Sequence, residues 1–170
     1  MLQNLVDVFE LARTGRSLAG AVPINAMPRL LPLLANVDGD VDYEFRGFID
    51  QRQRPAGSLC LKATLNLVCN HCDKPVSFLL DAHRDYYFVR DERALHAVVD
   101  DTADEDPLVG DKRFDLRALL EEEIILGLPI APRHAACQQE VDAAAGPRAQ
   151  TATAVNRPFA ALDRLRTRDG

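Results

Sequence analysis

The chain has 170 residues, with 20 Lys and Arg against 26 Asp and Glu, a formal charge of -6, a pI of about 5.2 and 47% hydrophobic residues. A chain of this length forms one ordinary domain and buries roughly 70% of its unfolded surface, so a single core suffices without disulfide staples. The acidic balance excludes a uniformly basic nucleic-acid binder, and no run of about 18 apolar residues is present that would span a membrane.

Asp7 and Glu10 precede the first basic residue, Arg13, and the N-terminus lacks the basic start and apolar stretch of a secretory signal. Cytoplasmic residence is therefore expected. Under reducing conditions the four cysteines read as metal ligands or core residues rather than as a disulfide frame.

Leu5, Val8, Phe9 and Ala12 fall at helical spacing, and Gly15 ends that helix. Gly20 to Pro23 reads as a turn. Met27, Leu30, Leu31 and Leu34 predict a second short helix, bent at Pro32 because proline removes a hydrogen bond. The period then changes. Val41, Tyr43 and Phe45 alternate with Asp42, Glu44 and Arg46, as a strand with one buried face requires. Leu59, Leu61, Ala63, Leu65 and Leu67 form the inward side of a second strand, with Lys62, Thr64 and Asn66 outward. Val76, Phe78, Leu80 and Ala82, continuing to Tyr86 and Phe88, make a third, so Cys69 to Lys74 is a hairpin tip. The connections leave no room for crossover helices. An α+β fold with an antiparallel sheet follows, covered by helices on one face or curled into a partly open barrel.

Asp100 to Asp106 is acidic and ends at Pro107, a solvated loop, and an extended stretch follows near Arg113 and Phe114. Asp115 then N-caps the main helix, near 115–128, whose apolar stripe is Leu116, Leu119, Leu120 and Ile124 and whose end is marked by Gly127 and Pro129. Glu121, Glu122 and Glu123 point in three directions on a helix and cannot converge on one ion. Glu121 and Glu122 are expected on the solvated face, while Glu123, beside the stripe, needs an Arg or backbone partner. Residues 140–156 have too few large apolar side chains to offset their ordering entropy, and read as a flexible linker between a domain at 1–139 and a basic segment at 157–170. That last segment carries Phe159, Leu162 and Leu165 with Arg157, Arg164, Arg166 and Arg168.

Cys69 and Cys72 form a C-x-x-C at a turn, which lets two thiolates point at one ion, and His134 and Cys137 repeat the spacing after the helix. Together they would make a closed Cys3His site for one structural zinc. The alternative is free thiols at a loop tip with His134 and Cys137 in a fraying segment. A redox role for Cys69 and Cys72, as in a thiol-disulfide oxidoreductase, is the competing functional reading, but the helix N-terminus that lowers a redox thiol's pKa is missing between two strands. Cys60 reads as a structural cysteine within a strand. His71, His83 and His96 show no nucleophile arrangement, and no phosphate-cradling glycine loop is present, so an enzyme is not expected. Arg46, Arg52, Arg54 and Lys62 form a local basic excess that reads first as solvated surface and second as a patch able to meet phosphates despite the acidic whole.

The run Val68-Cys69-Asn70-His71-Cys72-Asp73-Lys74-Pro75-Val76, followed by Phe114-Asp115-Leu116 and Leu120-Glu121-Glu122-Glu123-Ile124-Ile125-Leu126-Gly127-Leu128-Pro129, resembles the signature of the YceD family, known for large ribosomal RNA accumulation. Phe9-Glu10-Leu11-Ala12 with Gly15 and Gly20, and Arg157-Pro158-Phe159-Ala160-Ala161-Leu162, extend the resemblance to nearly the whole chain. It implies a small non-enzymatic factor for synthesis, processing or stability of 23S rRNA, acting in large-subunit biogenesis. The implied partners are the 23S rRNA precursor or large-subunit ribosomal proteins; the charge of the C-terminal segment, independently of the resemblance, makes Arg157, Arg164, Arg166 and Arg168 the expected contact residues. Some members carry a second cysteine pair after the helix, to which His134 and Cys137 correspond in part.

Overall fold

The computed structural model describes residues 5–96 and 106–139. The expected linker at 140–156, the basic segment at 157–170 with Arg157, Arg164, Arg166 and Arg168, and most of the acidic loop lie outside the described residues.

The elements in chain order are β1 (Leu5–Val6), α1 (Val8–Thr14), β2 (Ser17–Pro23), two 3-10 turns (Ile24–Ala26 and Leu31–Leu33), β3 (Asp40–Ile49), β4 (Pro55–Val68), β5 (Pro75–Val89), α2 (Glu92–His96), β6 (Asp106–Val109), β7 (Phe114–Asp115) and α3 (Leu116–Gly127). The main sheet runs β2-β3-β4-β5-β6 and is open, and β1 pairs with β7 in a separate two-stranded ribbon. The compact body extends to Ala135.

The alternation read in β3, β4 and β5 is what the sheet uses. Val41, Phe45, Leu59, Leu61, Leu65, Leu67 and Leu80 are buried on one face, and the stripe Leu116, Leu119, Leu120 and Ile124 of α3 is buried with them in a single core. Each such side chain contributes about 1.5–3 kcal/mol on burial. Asp115 caps α3 through the Ala118 N–H at 3.0 Å.

Several local expectations are corrected. The first helix begins at Val8 rather than Leu5, because Asp7 accepts the N–H groups of Phe9 and Glu10 and so ends the preceding strand. Gly15 ends it as expected, in the left-handed region at φ 64°. Gly20 to Pro23 is not a turn but part of β2, whose Gly20 lies opposite Tyr43 of β3. The second helix is two separate 3-10 turns, since Pro28 and Pro32 leave no continuous run of N–H donors. The sheet is mixed: β6 pairs with β5 in parallel, a strand too short and too proline-bearing to show periodicity. Glu121 is not solvated. It is 5% exposed and accepts the backbone N–H groups of Arg29 (2.5 Å) and Leu30 (3.1 Å), so it pins the turn around Met27 and Leu30 to α3.

Glu123 is buried as expected and finds Arg84 of β5 at 3.5 Å. Burial, reinforced by this carboxylate, pushes the Tyr86 phenol well above its ordinary range. At the β3–β4 turn Asp50 is buried and accepts both the Arg54 N–H (2.7 Å) and Arg54 Nε (2.6 Å), while the guanidinium stacks 3.8 Å from the Tyr87 ring centroid. Arg54 therefore serves as a hairpin clamp within the basic group read from sequence.

Gly47 is required by close approach. A Cβ there would collide with the backbone of Leu11 and Ala12, so α1 can lie directly on β3 only above this residue. Gly47→Ala is expected to destabilise the protein by about 3 kcal/mol, from overpacking against backbone that cannot yield. Glu121→Ala, which strands two buried N–H groups, should cost about 2–3 kcal/mol. Equilibrium denaturation of both variants checks these values; either one within 0.5 kcal/mol (about the surface-substitution range) would refute its assigned role.

Candidate metal centre

The β4 and β5 strands pair without interruption from Ala56 opposite Tyr87 to Val68 opposite Pro75. Their ladder delivers the Cys69–Lys74 loop as its tip. Inside it the Cys69 N–H donates to the Lys74 carbonyl at 2.9 Å and the Asp73 N–H to the Cys69 carbonyl at 3.0 Å, with Asp73 at φ 56°. This tight curl aims the N–H groups of His71 and Cys72, two and three residues on, at the Cys69 sulfur. Cys69 is fully buried and Cys72 partly so.

The second half of the site arrives from the end of α3. Gly127 and the C-cap Leu128 stop the helix, and Pro129 and Pro132 prevent its resumption. The Asn70 N–H donates to the Pro132 carbonyl at 2.8 Å, fastening the hairpin tip to this segment by backbone alone. His134 follows. Its Nε2 lies 3.0 Å from the Pro75 carbonyl and its Nδ1 lies 3.4 Å from Cys72 Sγ. A carbonyl only accepts, so Nε2 carries the proton and Nδ1 turns its lone pair toward the thiols. This is the arrangement by which an outer carbonyl orients a metal-binding imidazole.

Cys137 stands three residues after His134, in a single helical turn over 135–139. The ligand atoms of Cys69, Cys72, His134 and Cys137 all lie within 4.8 Å of one another, the one such grouping of His, Cys, Asp and Glu among the described residues. An ion about 2.3 Å from each sulfur sets tetrahedral ligand atoms about 3.8 Å apart, so small side-chain rotations complete the shell. The four donors expected from spacing are thus brought together, and the set can hold a metal ion with all four tetrahedral positions filled by protein.

Electrostatics favour the same outcome. Burial pushes the Cys69 thiol up, but the N–H groups of Cys72, His71 and His134, with the Cys72 side chain, outweigh it and hold the thiol at about 5. Cys69 is accordingly a thiolate at neutral pH, the form that binds metal.

The family model described as "Large ribosomal RNA subunit accumulation protein YceD" matches residues 58–166. The chain belongs to the YceD family. The match begins in β4 and takes in all four candidate ligands of this YceD protein, Cys69, Cys72, His134 and Cys137. Membership carries a role in the accumulation of large-subunit ribosomal RNA. No solved structure matches the chain. No helix among the described residues is long and apolar enough to cross a membrane.

Two features escaped sequence reasoning. The Pro75 carbonyl that orients His134 has no signature in residue type. The second is the Cys60–His83 pair, for which a signal did exist: pairing the strands outward from the tip places them opposite one another, and Cys60 Sγ lies 3.1 Å from His83 Nδ1. His71 and Cys72 are near neighbours in sequence, yet the imidazole drawn into the cluster is His134.

The Cys69 shift has a defined pH consequence. With a folded value of about 5 against an ordinary thiol value of about 8.5, the metal-free fold gains stability as pH rises between them. That contribution is complete above the ordinary value and lost as pH falls through 5. Thiolate absorbance of the metal-free protein should titrate with a component near pH 5 that Cys69→Ser removes; a titration confined to the ordinary thiol range would contradict it.

Proposed function

We propose that this YceD protein is a non-enzymatic factor of the cytoplasm that supports synthesis, processing or stability of 23S rRNA during large-subunit biogenesis. The observation that carries the reading is the family match over residues 58–166, supported by the clustering of four side chains able to hold a metal ion. We further propose that the ion is one zinc, held by Cys69, Cys72, His134 and Cys137 as a clamp between the hairpin tip and the segment after α3. Three thiols and one imidazole at these separations suit a tetrahedral, redox-inert cation. A catalytic zinc site keeps a position for water, and four protein donors leave none.

The partners in this reading are the 23S rRNA precursor or large-subunit ribosomal proteins. The arginines Arg157, Arg164, Arg166 and Arg168 add electrostatic grip on phosphate, an argument from charge in the sequence alone. Binding to pre-ribosomal particles should weaken on deletion of residues 156–170 and fall further with salt. Unchanged binding would remove these arginines from the interface.

Native mass spectrometry of protein purified without chelator or affinity tag is expected to show one zinc per chain, released by acid. Cys69→Ser or His134→Ala should abolish that stoichiometry and raise amide exchange in 69–74 and 130–139 while the sheet stays protected, because metal binding is coupled to local folding. In cells lacking the native protein, the same variants should restore 23S rRNA less well than the unaltered chain. Steady turnover in a disulfide-reduction assay that depends on Cys69 and Cys72 would overturn the non-enzymatic reading.

A further inference from the structure

The outward face of the sheet carries a second group of chemically active side chains, separate from the metal cluster. Cys60 of β4 and His83 of β5 are directly opposed, with Sγ 3.1 Å from Nδ1. His83 Nε2 faces Asp85 Oδ1 at 3.4 Å, from two residues along the same strand and on the same face. A carboxylate accepts and cannot donate, so it favours the proton on Nε2 and leaves the Nδ1 lone pair to the thiol. Thiol, imidazole and carboxylate thus stand in the order that activates a nucleophile.

Beside the thiol lies an open cavity of about 420 Å³, lined by Ala19, Gly20, Asp42, Tyr43, Glu44 and Lys62 together with Cys60. The small side chains of Ala19 and Gly20 leave it roomy, and two carboxylates face one ammonium, which itself lies 3.6 Å from Asp81. Any reagent approaching Cys60 from this side meets a negative field. Acyl transfer is not the fitting chemistry. The central strand's N–H groups are committed to the ladders with β3 and β5, leaving no donor pair for an oxyanion. Disulfide exchange needs no such hole.

We propose that Cys60 is a covalent modification site that undergoes thiol-disulfide exchange with small disulfides bearing amino groups. Cys60 sulfur attacks one sulfur of RS–SR, the Cys60–S–SR bond forms as the S–S bond of the reagent breaks, and the departing sulfur leaves as RS⁻ carrying the electron pair. The Cys60 proton passes to His83 Nδ1 and then to the leaving thiolate, giving RSH, so the disulfide is the only co-reactant. Asp42 and Glu44 attract the ammonium of the incoming reagent. The event is stoichiometric and does not involve Cys69 or Cys72.

The test uses the full metal-loaded chain with cystamine, 2-hydroxyethyl disulfide and dithiodiglycolate, which are cationic, neutral and anionic. Adducts are located by peptide mass mapping, and each rate is divided by that of the same reagent with N-acetylcysteine to remove intrinsic reactivity. At low ionic strength Cys60 should be modified first, with normalised rates falling from cystamine to dithiodiglycolate over about a tenfold range that closes in 1 M salt (Debye length about 3 Å). Asp42→Asn with Glu44→Gln should level the three rates. His83→Gln, at an exposed position where circular dichroism verifies the fold, should slow all three about tenfold, less than the roughly 10²–10⁴-fold typical of a positioned base in an active site. Asp85→Asn should slow them by less without altering the order. Equal normalised rates for the three reagents, no change on His83→Gln, or adducts that bypass Cys60 would each overturn the proposal.

Discussion

The backbone ladder between β4 and β5 sets the coordinates of almost everything functional in this protein. Its register, Ala56 to Val68 against Tyr87 to Pro75, is long and unbroken, and a slip of one residue would exchange every inward side chain for an outward one. Such a slip would bring Lys62, Thr64 and Asn66 into the core in place of Leu61, Ala63 and Leu65. The hydrophobic alternation therefore fixes the register, and the register fixes where the strands must turn. Cys69 and Cys72 lie at that turn, so their placement follows from the packing of leucines several residues away.

The same ladder presents Arg84 to Glu123 and so helps orient α3, whose end determines where His134 emerges. Two independent restraints then act on the tip. One is the backbone bond from Asn70 to Pro132, and the other is the Pro75 carbonyl that sets the His134 tautomer. Both are bonds between protein groups. A cation held by the four ligands would add a third restraint between the hairpin and the post-helix segment. The core of leucines, phenylalanines and α3 side chains contains none of the four ligands, in contrast to small zinc modules that have no other core.

The two faces of the sheet have separate chemistry for the same geometric reason. Inward positions of β4 and β5 supply the core. Outward positions carry Cys60, His83, Asp85, Lys62 and Asp81, where cross-strand neighbours are close enough to interact yet remain wet. Burial separates the cysteines as well: Cys69 is enclosed and surrounded by N–H donors, whereas Cys60 borders an open cavity. Residue type alone does not distinguish them.

The sequence by itself determined the three long strands, the hairpin tip, the Asp115 cap and stripe of α3, and the four metal-ligand candidates. Each rests on local periodicity or on residue types with a narrow chemical meaning. Tertiary structure decided the rest. Glu121 read as solvated because its helix position says nothing of the Arg29 and Leu30 N–H groups, far away in sequence, that need an acceptor. Gly20 read as a turn because glycine usually marks one, but a strand tolerates it beneath the Tyr43 ring. The parallel β6 left no pattern, since four residues are too few to show a period and their pairing depends on where the crossover returns. Whether C-x-x-C and H-x-x-C meet is a question of distance between segments 62 residues apart, and spacing within each pair carries no information about it. The answer came from the β4–β5 register and the end of α3, which long-range packing sets.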